Sequence, residues 1–303
     1  MEQQYLGIDI GGTNVKMGIV DVKDGRISNF YSHETASWRE SGRFIERLGD
    51  AIALELKEYP EVTKVGIGVP GLITRDRTTL IEITAIPEIN GIKIVPELKK
   101  RFPGHEFYLE NDANAAALGE YYFGEEDVPE DYIFITLGTG IGGAAIIDKK
   151  VFKGGGGNAM EPGHIPSRNG RVLERNIGKK ELLELAEEMR ATFKGETVLP
   201  SDGTISTTGL VAAASAGDRL ALDVFREVGY MLGDGLVAMI RILDITTILI
   251  GGGLSASFEY IMPSVQERLT NWLTPYYAKT LNVKRATLAN DAGLLGAASL
   301  CFE

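Results

Sequence analysis

Short apolar runs alternate with amphipathic stretches along the chain. Leu6-Gly-Ile-Asp-Ile10 is apolar but for one carboxylate, Asp9; it turns on Gly11-Gly12-Thr13 and resumes over residues 14–21, which predicts a β-hairpin. Residues 23–39 are polar and predict no element. Over residues 41–59, Phe44, Ile45, Leu48, Ile52, Leu56 and Tyr59 recur at spacings of three and four, a helix with one apolar face that Pro60 ends. Val65-Gly-Ile-Gly-Val69 has the near-continuous apolar character of a strand covered on both faces, and Pro70-Gly71 follows it. Residues 72–95 read as loops and short strands, 96–102 as a short helix, and Phe107-Tyr-Leu109 as a strand leading into Glu110-Asn111-Asp112 and a helix over 113–122. Further on come helices at 179–190 and 221–243, a strand at 246–250 running into Gly251-Gly252-Gly253, and a small-residue helix at 290–301 that must pack closely on a neighbour. Strands alternating with helices predict an α/β protein.

The first hairpin has an echo. Phe134-Ile-Thr-Leu-Gly-Thr-Gly-Ile-Gly-Gly-Ala-Ala-Ile-Ile-Asp148 lies on it at one constant offset, with Thr136 on Asp9, Gly138 on Gly11 and Asp148 on Asp21. A lone Gly-Gly turn is an ordinary hairpin as readily as a phosphate cradle. Two in one register suggest two halves of one architecture, each offering amide-rich backbone to an anion.

Composition narrows the class. The chain has 303 residues, 44% hydrophobic and 24% charged, enough for two globular domains. A net charge of −11 argues against nucleic-acid or anionic-membrane partners. An anionic substrate must then be neutralised locally. The single cysteine, Cys301, excludes an intrachain disulfide and a thiolate zinc cluster. The opening Met1-Glu2-Gln3-Gln4 leaves no room for a signal peptide, and no apolar run reaches the roughly 18 residues of a membrane helix, so a cytoplasmic location is expected.

The candidate chemistry sits at element ends. Asn111-Asp112 lies at a strand end and helix start, where ligands meet open α/β sheets; Asp112 is equally a plain helix cap. Glu161 and His164 flank Pro162-Gly163 after four glycines, Gly154 to Gly157, a turn able to hold two polar side chains towards a small ligand. His164 is read as a hydrogen-bonding group rather than a metal ligand. Gly251 to Gly253 permit close approach of a flat base or ribose, or form a simple turn. There is no Gly-x-x-x-x-Gly-Lys-Ser/Thr, and neither hairpin opens a dinucleotide-type βαβ unit, which excludes P-loop and Rossmann readings.

Taken together, Gly7-Ile-Asp-Ile-Gly-Gly-Thr13, Glu110-Asn-Asp-Ala-Asn-Ala-Ala-Ala-Leu-Gly-Glu120, Leu137-Gly-Thr-Gly140, Ile250-Gly-Gly-Gly253 and Asn290-Asp-Ala-Gly-Leu-Leu-Gly-Ala-Ala298 resemble the ROK family of sugar kinases and related repressors, nearly end to end. The resemblance implies a two-lobed actin-like ATPase (ribonuclease H-like) fold with a cleft between the lobes. The smaller lobe would span residues 1–112 plus the C-terminal helix at about 290–303, and the larger one 113–289, with the contact of a homodimer on the larger. It implies ATP-dependent phosphorylation of a hexose or amino-hexose, at the 6-hydroxyl as in glucokinases, with Mg²⁺. Asp112 becomes the general base, and Gly71, Asn111, Glu161, His164 and Glu174 join it as sugar contacts. Gly11, Gly12, Thr13, Lys16, Gly138, Thr139 and Gly140 become nucleotide and phosphate contacts, Gly251, Gly252 and Gly253 lie near the nucleoside, and Asp9 holds Mg²⁺ through water. A catalytically inactive sugar sensor of the same family, or a kinase for N-acetylmannosamine, fructose, mannose or allose, is the competing reading.

The chain departs from the family in one region. Where the family carries a Cys-x-Cys-Gly-x-x-Gly-Cys zinc site, this sequence has Ile165-Pro-Ser-Arg-Asn-Gly-Arg-Val-Leu-Glu174. No structural zinc is expected, and other contacts must close the loop. Met160 replaces the usual glycine before the glutamate, and Ala85-Ile-Pro87 replaces Asn-Leu-Pro, removing an amide that touches the sugar. Glucose is the default substrate from the resemblance alone.

Overall fold

The protein is described by a computed structural model covering residues 3–125 and 127–302. Met1, Glu2, Glu126 and Glu303 lie outside it, and with them part of the start from which the absence of a signal peptide was read.

In chain order the elements are β1 Gln4–Ile10, β2 Asn14–Asp21, β3 Ile27–Glu34, α1 Thr35–Glu40, α2 Phe44–Glu58, β4 Lys64–Val69, β5 Leu72–Ile73, β6 Leu80–Glu82, α3 Ile94–Arg101, β7 Glu106–Asn111 and α4 Asp112–Phe123. There follow β8 Tyr132–Leu137, β9 Ile141–Ile147, β10 Lys150–Val151, α5 Glu174–Ile177, α6 Lys179–Thr192, α7 Thr207–Ser215, α8 Arg219–Leu243, β11 Thr247–Gly251, α9 Phe258–Trp272, α10 Pro275–Ala278, β12 Asn282–Arg285 and α11 Ala292–Ser299. Two five-stranded sheets run β3-β2-β1-β4-β7 and β10-β9-β8-β11-β12. In the first, the β1–β2 hairpin is antiparallel, and β4 and β7 continue from β1 in parallel. In the second, β11 joins β8 in parallel and β12 joins β11. The two hairpins that echo each other in sequence therefore hold the same place in two sheets of the same strand order.

The chain forms two compact units, Met1–Asp127 with Ala144–Ala159 and Thr287–Glu303, and Val128–Gly143 with Met160–Ala286. These bounds differ from the sequence-based lobes, because α4 and residues 144–159 go with the first unit. The reason is packing. Helix α11 lies against β1, β4 and α4, all in the first unit. A Cβ on Gly66 of β4 would stand 1.7 Å from the Ala297 carbonyl oxygen, and one on Gly296 would stand 1.9 Å from that of Ala115. The glycines and alanines of α11 and α4 thus permit backbone-to-backbone contact that larger side chains would forbid. Glu120, buried in α4, is satisfied by the Thr287 and Leu288 backbone N–H groups at 3.0 and 2.9 Å, which ties α4 to the segment leading into α11.

The core of the first unit fills the space between its sheet and α2 and α3, with Leu6, Ile8, Leu48, Ile52, Ile67 and Leu98 buried. Two elements there escape the sequence pattern, β3 and α1 in the polar stretch 23–39. Strand β3 is the sheet edge and exposes half its residues, so it lacks an apolar face to read. No helix among the described residues is long and apolar enough to cross a membrane.

Candidate active site

In the first unit, β1 carries Asp9 to the mouth of the Gly11-Gly12-Thr13 turn. The turn closes through Gly11 N–H to the Asn14 carbonyl at 2.8 Å and leaves Gly12 and Thr13 exposed. Thr35, buried at the start of α1, donates its hydroxyl to the Gly11 carbonyl at 2.7 Å, and its N–H bonds the Thr13 carbonyl at 2.9 Å. This brace was not visible in the sequence, where Thr35 sits in a featureless polar stretch. Asp9 faces Lys16 across the hairpin at 4.0 Å, and Lys16 Nζ also donates to the Asn290 carbonyl at 2.8 Å. A Cβ on Gly293, in the first turn of α11, would fall 2.6 Å from Asp9 Oδ2, so a larger residue there would displace the carboxylate from its present position. Burial raises the Asp9 pKa, against the opposing pull of Lys16.

Asn111 and Asp112 lie at the junction of β7 and α4. Asn111, not Asp112, is the cap: its Oδ1 accepts from Ala113 and Asn114 N–H at 2.9 and 3.2 Å. Its Nδ2 donates to the Gly71 carbonyl at 3.3 Å, joining two of the expected sugar residues. Asp112 is then the first residue of the helix, half-buried, its Oδ1 accepting from Ala113 N–H at 2.8 Å. The capping role open to Asp112 in the sequence belongs to its neighbour.

The second unit presents the echoing loop. Gly138 N–H bonds the Gly140 carbonyl at 2.9 Å and Thr139 is exposed at the tip. The N-terminus of α6 abuts the loop, with Lys179 N–H donating to the Gly138 carbonyl at 3.1 Å. Glu174 opens α5 and reaches back to accept from Ile141 N–H at 2.9 Å, linking the expected sugar loop to the expected phosphate loop. Glu161, His164 and Glu174 come together: burial raises the Glu161 pKa, His164 opposes the shift and Glu174 adds to it. Met160, just before, has φ +67°. That left-handed backbone is what the family's glycine supplies without strain, and here a side chain carries it. After β11, Gly252 has φ +84°, and a Cβ there would stand 2.3 Å from the Leu137 carbonyl oxygen, so Gly251-Gly252 is held tightly against β8 while Gly253 faces open space.

The cysteine-less loop is closed by hydrogen bonds and ion pairs. Pro166 and Val172 form an isolated antiparallel bridge; Ser167 N–H bonds the Arg171 carbonyl at 2.8 Å and Leu173 N–H the Ile165 carbonyl at 3.0 Å. Asn176 Nδ2 donates to the Arg168 and Val172 carbonyls. Arg168 reaches α8, 3.3 Å from Glu227 and 3.4 Å from Asp234. A miniature hairpin pinned to a helix occupies the stretch where the resemblance expects cysteines, and it leads into Glu174.

The fold and these loops define an α/β protein with the actin-like ATPase fold, built around paired glycine hairpins. The family model described as the ROK family matches residues 5–303, and the chain belongs to that family. It is similar to a glucokinase of Thermotoga maritima, 31% identical over 99% of this chain and 98% of that one. The crystal structure of a proposed sugar kinase from Cytophaga hutchinsonii has a TM-score of 0.94 at 40% identity, covering 99% of this chain and 100% of the other. A ROK family glucokinase from Streptomyces griseus, in complex with glucose and AMPPNP, has a TM-score of 0.77 at 31% identity over 98% of each chain.

Proposed function

We propose that the protein transfers the γ-phosphoryl group of ATP to a hexose hydroxyl, with Asp112 as general base and glucose as the first substrate to test. The observation that carries the reading is the Asn111 bond pattern, which caps α4, leaves Asp112 as the first residue of that helix and joins Asn111 to Gly71, in a chain whose relatives include glucokinases. A sugar hydroxyl is a poor nucleophile at neutral pH, and a carboxylate within hydrogen-bond reach removes its proton as the new bond forms. The exposed loops at Gly11–Thr13 and Gly138–Gly140 supply backbone amides for the phosphates. Asn111, Glu161, His164 and Glu174 orient the sugar, and Gly251–Gly253 lie along the nucleoside. Division into two lobes, with the C-terminal helix returning to the first, belongs to the same reading.

Asp9 fits a magnesium site. It is a carboxylate only 18% exposed, beside a loop suited to phosphate, and Mg²⁺ is commonly held by one or two carboxylates together with nucleotide phosphates and water. When bound, the ion neutralises phosphate charge. Among the described residues no group of three or more His, Cys, Asp or Glu could hold a metal, so the nucleotide itself would complete the coordination.

A coupled assay of nucleotide turnover over glucose, mannose, fructose, allose, N-acetylmannosamine and N-acetylglucosamine tests the reading. Turnover should require one of these sugars. Sugar binding without turnover would favour a sensor, and turnover without sugar would favour an ATPase of another kind.

Glu161 makes the sugar step sensitive to pH. Its pKa lies above the ordinary 4.5, so the carboxylate is lost earlier as pH falls than an exposed glutamate would be. If the ionised form accepts sugar hydroxyls, KM for the sugar should rise on acidification through that raised value, and Glu161→Gln should flatten the dependence. An unchanged acidic limb in the variant would remove Glu161 from the sugar site.

A homodimer is also proposed. Ile242 at the end of α8 and Trp272 at the end of α9 are exposed, with Tyr276 nearby in sequence, and Arg241 Nη2 ties the two helix ends by donating to the Trp272 carbonyl at 2.8 Å. Light scattering should give twice the chain mass for the wild type and a lower mass for Ile242→Glu/Trp272→Glu. A wild-type monomer at micromolar concentration contradicts the proposal.

A further inference from the structure

One group of charges in the first unit takes no part in the chemistry above. Arg77 sits in the β5–β6 turn at φ +56°, a conformation that costs a non-glycine residue energy. Its side chain is nine-tenths buried; Nε lies 3.0 Å from Glu110 Oε2, while Nη1 and Nη2 are buried with no hydrogen-bond partner. An unmet buried donor is destabilising, and more so on a charged group. Arg77 lines a cleft of about 730 Å³, together with Thr78, Lys99, Tyr108, Lys150 and Lys153.

The cleft has an excess of positive charge. Its two acids are already engaged: Asp76 accepts from the Thr74 and Thr78 hydroxyls at 2.6 and 2.9 Å, and Glu110 is flanked by Arg77 and by Lys153 at 3.6 Å. Lys99 and Lys150 make no ion pair among the described residues. Such a concentration of cations in a chain of net charge −11 is local, and a volume of this order suits a small molecule rather than a polymer. An arginine fork with open donors next to flexible ammonium groups is the donor set that phosphate takes.

We infer that this cleft binds a phosphate-bearing small molecule and that its occupation regulates the reaction site. Glu110 Oε1 accepts from Asn111 N–H at 2.9 Å and from Asn114 Nδ2 at 3.1 Å, so it holds the residues on either side of Asp112. An anion that draws Arg77 and Lys153 away from Glu110 loosens that junction and slows turnover. The binding stands on the cleft alone; the regulation rests on the reading of Asp112 as the base. Inorganic phosphate and a hexose 6-phosphate carry the same group, and they separate a free-phosphate sensor from one that responds to the product class.

Calorimetry on the full chain, first alone and then with hexose and AMPPNP saturating the reaction site, tests the inference with both probes. We expect one site that persists under saturation and binds at least ten-fold more weakly in Lys99→Ala/Lys150→Ala, two exposed positions that leave the fold intact. The stronger probe should lower kcat without raising KM for the sugar, and the double variant should lose this effect. No binding under saturation, or a double variant that binds as the wild type does, overturns the site; binding with unchanged kcat overturns the regulation. Because the titration without sugar needs no turnover, a chain that failed to phosphorylate hexoses would still report on the cleft.

Discussion

Asp112→Asn should fold, bind sugar and nucleotide, and lose phosphoryl transfer by about 10²- to 10⁴-fold, the range that a positioned general base contributes. The amide keeps the shape of the carboxylate and can still accept from Ala113 N–H, the bond that Asp112 Oδ1 accepts at 2.8 Å. Asn111 continues to cap α4, so the helix start does not depend on residue 112. What the variant lacks is a group that takes a proton from the sugar hydroxyl. Steady-state kinetics should show the loss in kcat with KM for the sugar little changed, and thermal unfolding should match the wild type. A variant with near-normal kcat would remove Asp112 from the chemistry; one that unfolds early would assign it to the helix instead.

Gly66→Ala should have the largest effect on stability, at least about 3 kcal/mol, at the upper end of what overpacking a tight core costs. The added methyl would stand 1.7 Å from the Ala297 carbonyl oxygen, a backbone atom of α11 that no rotamer change can move. Relief requires α11 to lift from β4, which also disturbs its seat on α4 and the place of Gly293 beside Asp9. Denaturant unfolding should show the loss, with activity falling in step with the folded fraction. A variant as stable as the wild type would mean that α11 does not pack on β4 as described.

Both expectations trace to features that the chain wrote in local pattern. The glycine hairpins, the apolar interior strands and the alanine-rich helix after Asn111-Asp112 depend on near neighbours in sequence, and periodicity exposes them. The repeated hairpin was legible because one constant offset aligns it, and the matching strand order of the two sheets is its structural counterpart. Strand β3 and helix α1 were not legible, since an exposed edge strand and a six-residue helix carry no apolar period. Helix α9 contains Pro263, a residue that reads as a break, and the sequence between 254 and 289 suggested no element.

The candidate site divides in the same way. Asp9, Asn111 and Asp112 stood out by type and by place at element ends. Thr35, which braces Gly11, and Arg77, which flanks Glu110, act over long sequence separations from segments with no pattern of their own. Met160 stands out in the sequence as an unusual substitution, but only its φ of +67° explains why glycine is usual there. The cysteine-less loop is legible as an absence; the hairpin and the Arg168 ion pairs that close it come from tertiary contacts.

Phosphorus NMR on a mixture of the protein, magnesium, ATP and each hexose of the panel follows the γ-phosphorus to its destination. The account predicts that, with at least one sugar, the signal moves to a hexose phosphate ester in step with ADP formation, and that without sugar ATP persists. ATP that stays intact with every sugar, or γ-phosphorus that collects only as inorganic phosphate, would contradict it.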